Sequence, residues 1–99
     1  MPSRDRPTLP LLATAGKPLA IVLDAQPSAG LLWRAPSAPA GCQLVADAQA
    51  PAGAGDGGGV QQRFLFTAPQ AGGHSLRFVL QRSWDDAPQA VQMVAVTVR

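Results

Sequence analysis

Leu19-Ala20-Ile21-Val22-Leu23-Asp24-Ala25-Gln26-Pro27-Ser28-Ala29-Gly30-Leu31-Leu32-Trp33 reads as strand, stiff loop, strand. The apolar run Leu19–Asp24 puts Leu19, Ile21 and Leu23 on one face, as a half-buried strand requires. Pro27 sets its own φ and keeps Gln26 out of the helical region. Gly30 gives the backbone the freedom to turn back. Leu31 and Trp33 then share one face of the next strand, while Leu32 and Arg34 share the other. A small-residue loop is thus held between two strands, with Ser28 and Ala29 at its tip. Trp33 is in phase with Leu31 and reads as core.

The same logic extends outward. Thr8–Thr14 predicts an edge strand, because Pro10 cannot donate to a ladder. Gly16-Lys17-Pro18 turns the chain. Pro36–Gly41 breaks the pattern after the third strand, and Cys42–Ala46 is a weak fourth strand. Asp47–Gly59 is almost entirely Ala, Gly, Pro and Asp and predicts a loop. Val60–Thr67 places Phe64 and Phe66 on one face and Arg63 and Leu65 on the other. His74–Arg82 alternates, with Leu76, Phe78 and Leu80 inward. Arg82–Gln89 is a loop, and Ala90–Arg99 closes the chain with Val94, Val96 and Val98 on one face. The expected fold is all-β, an immunoglobulin-like antiparallel β-sandwich of about seven strands. Residues 1–7 read as a tail and 8–99 as one domain.

Composition agrees. The chain of 99 residues has ten Gly and ten Pro, no Glu and a single lysine, Lys17, so residues that favour helix surfaces are scarce. The net charge of +2 comes from scattered arginines with no basic stripe or interleaved aromatics, which excludes a nucleic-acid-binding design. No run approaches the ~20 apolar residues of a membrane helix. Arg4 and Arg6 followed by Leu9–Ala15 imitate a secretory leader, but Pro10 breaks the short apolar part. The expected compartment is the cytoplasm, or the periplasm or exterior if a leader precedes this sequence. Cys42 is the only cysteine, which rules out an internal disulfide and suggests a small hydrophobe.

Chemistry is sparse as well. His74 is the only histidine, opens a strand and reads as a surface residue. Cys42 and His74 lack the third group that would make a nucleophile pair. Asp85-Asp86 is one acidic pair, too little for a metal. Gly57-Gly58-Gly59 is followed by neither Gly-Lys-Ser/Thr nor a helix, so it is not a phosphate loop. Neither a cofactor nor an enzymatic activity is expected.

Alternating strand directions gather three unusual loops at one end: Gln26–Gly30, Asp47–Gly59 and Arg82–Gln89. Trp84 lies in the third among Ser, Asp and Pro, and reads as exposed. Arg82 either closes the strand by pairing with Asp85 or Asp86 or serves the loop's function; the residues leave both readings open. Antibody domains bind with three loops at one end for the same topological reason.

The three loops resemble the signature of the chagasin family, immunoglobulin-like inhibitors of papain-type cysteine peptidases. That family carries Asn-Pro-Thr-Thr-Gly, Gly-x-Gly-Gly and Arg-Pro-Trp, in this order. Here they are matched by Gln26-Pro27-Ser28-Ala29-Gly30 with Trp33 following, by glycines within Gly55–Val60, and by Arg82-Ser83-Trp84. Gly16, Phe64 and Ala71-Gly72 fit the same framework, and the resemblance runs from Leu9 to Val98. Gln26 stands in place of Asn and is one methylene longer. Ser28 keeps a hydroxyl, and Ala29 loses one. Ser83 in place of Pro frees the backbone beside Trp84 and raises the ordering cost of binding.

The resemblance implies a reversible plug for the cleft of a papain-like cysteine peptidase, made by a chain that is monomeric when free and contacts neither nucleic acid nor membrane. Gln26, Pro27, Ser28, Ala29 and Gly30 would enter the cleft. Gly57, Gly58 and Gly59 would lie along it by main-chain contacts. Arg82, Ser83 and Trp84 would pack beside it. The alternative is a non-inhibitory immunoglobulin-like protein-interaction module with diverged loops. An exposed Trp84 favours the inhibitor, and a core Trp84 favours the module.

Overall fold

The computed structural model describes residues 7–25, 30–51 and 60–99. Among the described residues seven strands follow one another: β1 (Leu9–Ala13), β2 (Leu19–Ala25), β3 (Leu32–Arg34), β4 (Gln43–Pro51), β5 (Val60–Thr67), β6 (Gly72–Gln81) and β7 (Ala90–Val98). They form a four-stranded sheet, β1-β7-β6-β3, and a three-stranded sheet, β2-β5-β4. Alternation produces the two layers. Ile21 and Leu23 of β2 and Phe64 and Phe66 of β5 point inward and are buried; Leu76 and Phe78 of β6 and Val94 and Val96 of β7 meet them from the other sheet. The Phe64 and Phe78 rings meet with centroids 5.0 Å apart. Each fully buried side chain of this size contributes roughly 1.5–3 kcal/mol. Among the described residues no helix is long and apolar enough to cross a membrane.

Four features depart from the expected strands. β1 pairs with β7 in parallel, while the remaining pairs are antiparallel. β4 runs on to Pro51 instead of ending near Ala46, so the loop expected to start at Asp47 starts later. The ladder with β5 carries β4 past a register shift between Ala46 and Ala48, and Asp47 at that irregularity pairs with Arg63 at 3.1 Å. β4 is an edge strand, where a terminal proline is tolerated. His74 is half-buried rather than on the surface: its ring meets Phe66 edge-on at 5.5 Å, and its Nε2 lies 4.0 Å from the Cys42 sulfur.

The fourth departure is polar. Gln62 and Gln92 point inward and are buried. Gln62, on β5, accepts a hydrogen bond from the Trp33 N–H at 2.7 Å and donates one to the Trp33 carbonyl at 3.2 Å. One amide therefore ties the edge strand β3 to the opposite sheet. The Trp33 indole N–H donates to the Asp24 carbonyl at 2.6 Å, which joins β3 to the end of β2. Trp33 is 3% exposed, a core residue as its phase with Leu31 implied.

Strand direction assembles one end of the sandwich. Ala25, the last residue of β2, faces Val60, the first of β5, and Val60 faces Pro51, the last of β4. In the other sheet Leu32 faces Gln81, and Leu80 faces Ala90. The chain segments after Ala25, after Pro51 and after Gln81 thus all leave from the same end. The opposite end is closed by main-chain bonds from the Ala15 N–H to the Arg99 carbonyl and from the Gly16 N–H to the Ala68 carbonyl, both 2.8 Å.

Candidate functional site

The 82–85 segment is a four-residue turn directly after β6. The Asp85 N–H donates to the Arg82 carbonyl at 3.0 Å, and Ser83 and Trp84 occupy the two central positions. The Asp85 carboxylate then folds back. One oxygen accepts the Arg82 N–H at 2.9 Å, the Arg82 Nε at 3.3 Å and the Gln89 side-chain amide at 3.4 Å. The Gln81 amide donates to the Asp85 carbonyl at 3.2 Å, and the Gln89 N–H closes the base of the loop on the Leu80 carbonyl at 2.7 Å. Of the two acids open to Arg82 in the sequence, Asp85 is its partner.

These bonds set the charge of the turn. The Arg82 N–H, then the Arg82 and Gln89 side chains, hold the Asp85 carboxyl below its ordinary value against the opposing effect of desolvation. A group with a depressed folded value stabilises the structure above its unfolded pKa, near about 3.9 for Asp. The contribution is lost as pH falls through the lower folded value. The brace is therefore fully in place at neutral and mildly acidic pH.

Trp84 is 69% exposed at the tip of this turn. The Arg82 guanidinium carbon lies 5.7 Å from its ring centroid, within cation–π range. The ring is also anchored from the first loop. Gly30 has φ +77, and a Cβ built on it would come within 3.0 Å of Trp84 Cη2 and 3.3 Å of Arg82 Cγ. Gly30 thus serves both the turn and the close approach of the indole. Gly30→Ala should cost about 1–2 kcal/mol from the left-handed backbone alone, and it should push the indole off its seat. Thermal unfolding reads the first effect and Trp84 indole chemical shifts the second. An unchanged midpoint with unchanged shifts would contradict this packing.

Of the residues singled out in the sequence, Gly30, Arg82, Ser83 and Trp84 come together here. Gln26, Pro27, Ser28 and Ala29, and Gly57, Gly58 and Gly59, lie outside the described residues. Their flanking residues Ala25 and Val60 face each other at the same end. Gln89 is the supporting residue that the sequence reading did not single out, and nothing local signals it. For Asp85 the signal was an acid three residues after an arginine at a strand end. Among the described residues no group of three or more His, Cys, Asp or Glu side chains is placed to hold a metal ion. Cys42, just before the first residue of β4, and His74, opposite Val96 in the β6–β7 ladder, sit at the other end of the sandwich.

Residues 13–98 match the family described as chagasin family peptidase inhibitor I42. The chain belongs to the chagasin family. It is a family of peptidase inhibitors rather than of enzymes, and the match takes in the three loop-bearing connections and all but the first four residues of β1. Two solved structures share the fold over their whole length. The crystal structure of the cysteine protease inhibitor EhICP2 from Entamoeba histolytica has a TM-score of 0.61 at 16% identity, with 100% of both chains covered. The solution structure of amebosin has a TM-score of 0.61 at 22% identity, again with 100% of both chains covered. No curated protein matches the sequence. Within this chagasin-family chain, the Arg82-Ser83-Trp84 motif occupies the exposed turn, and Gly30 closes the first motif against it.

Proposed function

We propose that this chagasin-family chain is a reversible inhibitor of papain-like cysteine peptidases, acting through the loop end of the sandwich. The observation that carries this reading is Trp84. It is a large indole left 69% exposed on a braced turn, next to Gly30 of the first loop. A core Trp84 would have favoured a non-inhibitory module. Exposed tryptophan on a rigid support is the kind of residue that dominates protein interfaces, because little ordering is left to be done on binding.

In the mechanism we infer, residues 26–30 enter the cleft with Ser28 toward the catalytic Cys-His pair of the peptidase. Gly57, Gly58 and Gly59 lie along the cleft and bind through main-chain groups, which the lack of side chains allows. Trp84 packs on the surface beside the cleft, and Arg82 holds the indole from below. A wedge of this kind buries on the order of 800 Å² per partner. Inhibition is non-covalent and blocks substrate access. The solved neighbour described as a cysteine protease inhibitor supports this choice of target class.

The test is titration of the purified, folded chain against papain and a cathepsin-L-like enzyme, following hydrolysis of a fluorogenic peptide. Saturable, reversible inhibition at sub-micromolar concentration is expected. No inhibition of either enzyme at tens of micromolar would overturn the reading.

A further inference from the structure

We propose that Asp85 is a positioning residue for Trp84, and that its carboxylate does for the 82–85 turn what a proline at position 83 would do. The inference rests on the inhibitory reading above and adds to it a residue outside the three loop motifs. Ser83 is the second residue of the turn, the position at which proline is favoured because it presets φ. Serine presets nothing there. The chain instead fastens the two corner residues to each other from both sides. The Asp85 N–H reaches the Arg82 carbonyl at 3.0 Å, and the Asp85 carboxylate accepts the Arg82 N–H at 2.9 Å. The same oxygen holds the Arg82 side chain at 3.3 Å, and Arg82 lies under the indole. The Asp85 side chain is only 12% exposed, although its loop lies on the surface. Asp86, one residue on, is exposed.

The consequence is a turn ordered before binding. The bonds that hold it use the N–H groups of Arg82 and Asp85, so Ser83→Pro leaves them in place. Arg82 directly follows a strand, where the extended backbone required before proline is at hand. Two devices that do one job should substitute for each other.

The experiment compares inhibition constants for papain across the full chain, D85A, D85N, S83P, D85A/S83P, W84A and W84A/D85A, with a thermal-unfolding check on each. In parallel, ¹⁵N relaxation measures backbone order at residues 83 and 84 in the uncomplexed proteins. D85A should inhibit roughly tenfold more weakly, the scale of an ordering cost returned to the binding step. D85N should fall between D85A and the parent chain. S83P should restore D85A, and D85A should change inhibition less than about twofold in the W84A background, as additivity fails for coupled residues. Order at residues 83 and 84 should drop in D85A and recover in D85A/S83P. Unchanged order in D85A overturns the proposal, and so does a full-sized affinity loss in the W84A background or a failure of S83P to restore. If the parent chain does not inhibit, the inhibitory reading fails separately, and the order measurements alone decide whether Asp85 holds the turn.

Discussion

Trp84→Ala should weaken inhibition of a papain-like peptidase by roughly 30-fold or more, a loss of about 2 kcal/mol. The thermal midpoint should hardly move. Both halves follow from where the indole sits. It is 69% exposed, so truncation removes little core. It rests on Gly30 and Arg82, so it meets a partner already oriented. A tryptophan that lost its surroundings on unfolding would show the opposite pattern, with a lower midpoint and unchanged inhibition. Inhibition constants and calorimetry on the same preparations separate the two. Equal inhibition by the parent chain and W84A would remove Trp84 from the interface.

Gln62→Leu should be the most damaging of the conservative core changes. Leucine fills a similar volume, so cavity formation is a minor part of the loss. What disappears is the amide that accepts the Trp33 N–H and donates to the Trp33 carbonyl. Gln62 is 8% exposed, so water has little access to replace those bonds. Two bonds lost at such a site cost roughly 2–4 kcal/mol. For a domain of this size that lowers the midpoint by on the order of 10–20 °C. A fall smaller than about 3 °C would mean that the tie between β3 and β5 contributes little.

The two substitutions mark where the sequence was legible. β2, β5, β6 and β7 bury every second residue over most of their length, and the period of two placed their inward faces correctly. The same period says that residues 62 and 92 face inward, but a glutamine there looks like an error until its main-chain partners are known. Those of Gln62 lie 29 residues away and in another sheet. β4 was underestimated because Ala, Gln and Pro carry little strand preference. Its second half is held by the ladder to β5, including Gln49 opposite Gln62. The parallel pairing of β1 with β7 has no local signal either, since it depends on which edge the first strand reaches.

At the candidate site, direction along the chain was enough to bring the strand ends that flank the three loops to one end. The exposure of Trp84 was legible from its polar neighbours. Its seat on Gly30 was not, because the contact joins residues 54 positions apart in the chain (84 − 30). The Arg82–Asp85 pair was one of two readings that the sequence left open, and the return of the carboxylate to the Arg82 N–H settles it.

In the proposed complex the loop end of the sandwich, and not its faces or its other end, meets the peptidase. Hydrogen–deuterium exchange of the chain with and without saturating papain tests this most directly. New protection confined to residues 26–34, 52–60 and 81–89 is expected. Protection over 36–41 and 69–73, with the Trp84 turn unchanged, would contradict it.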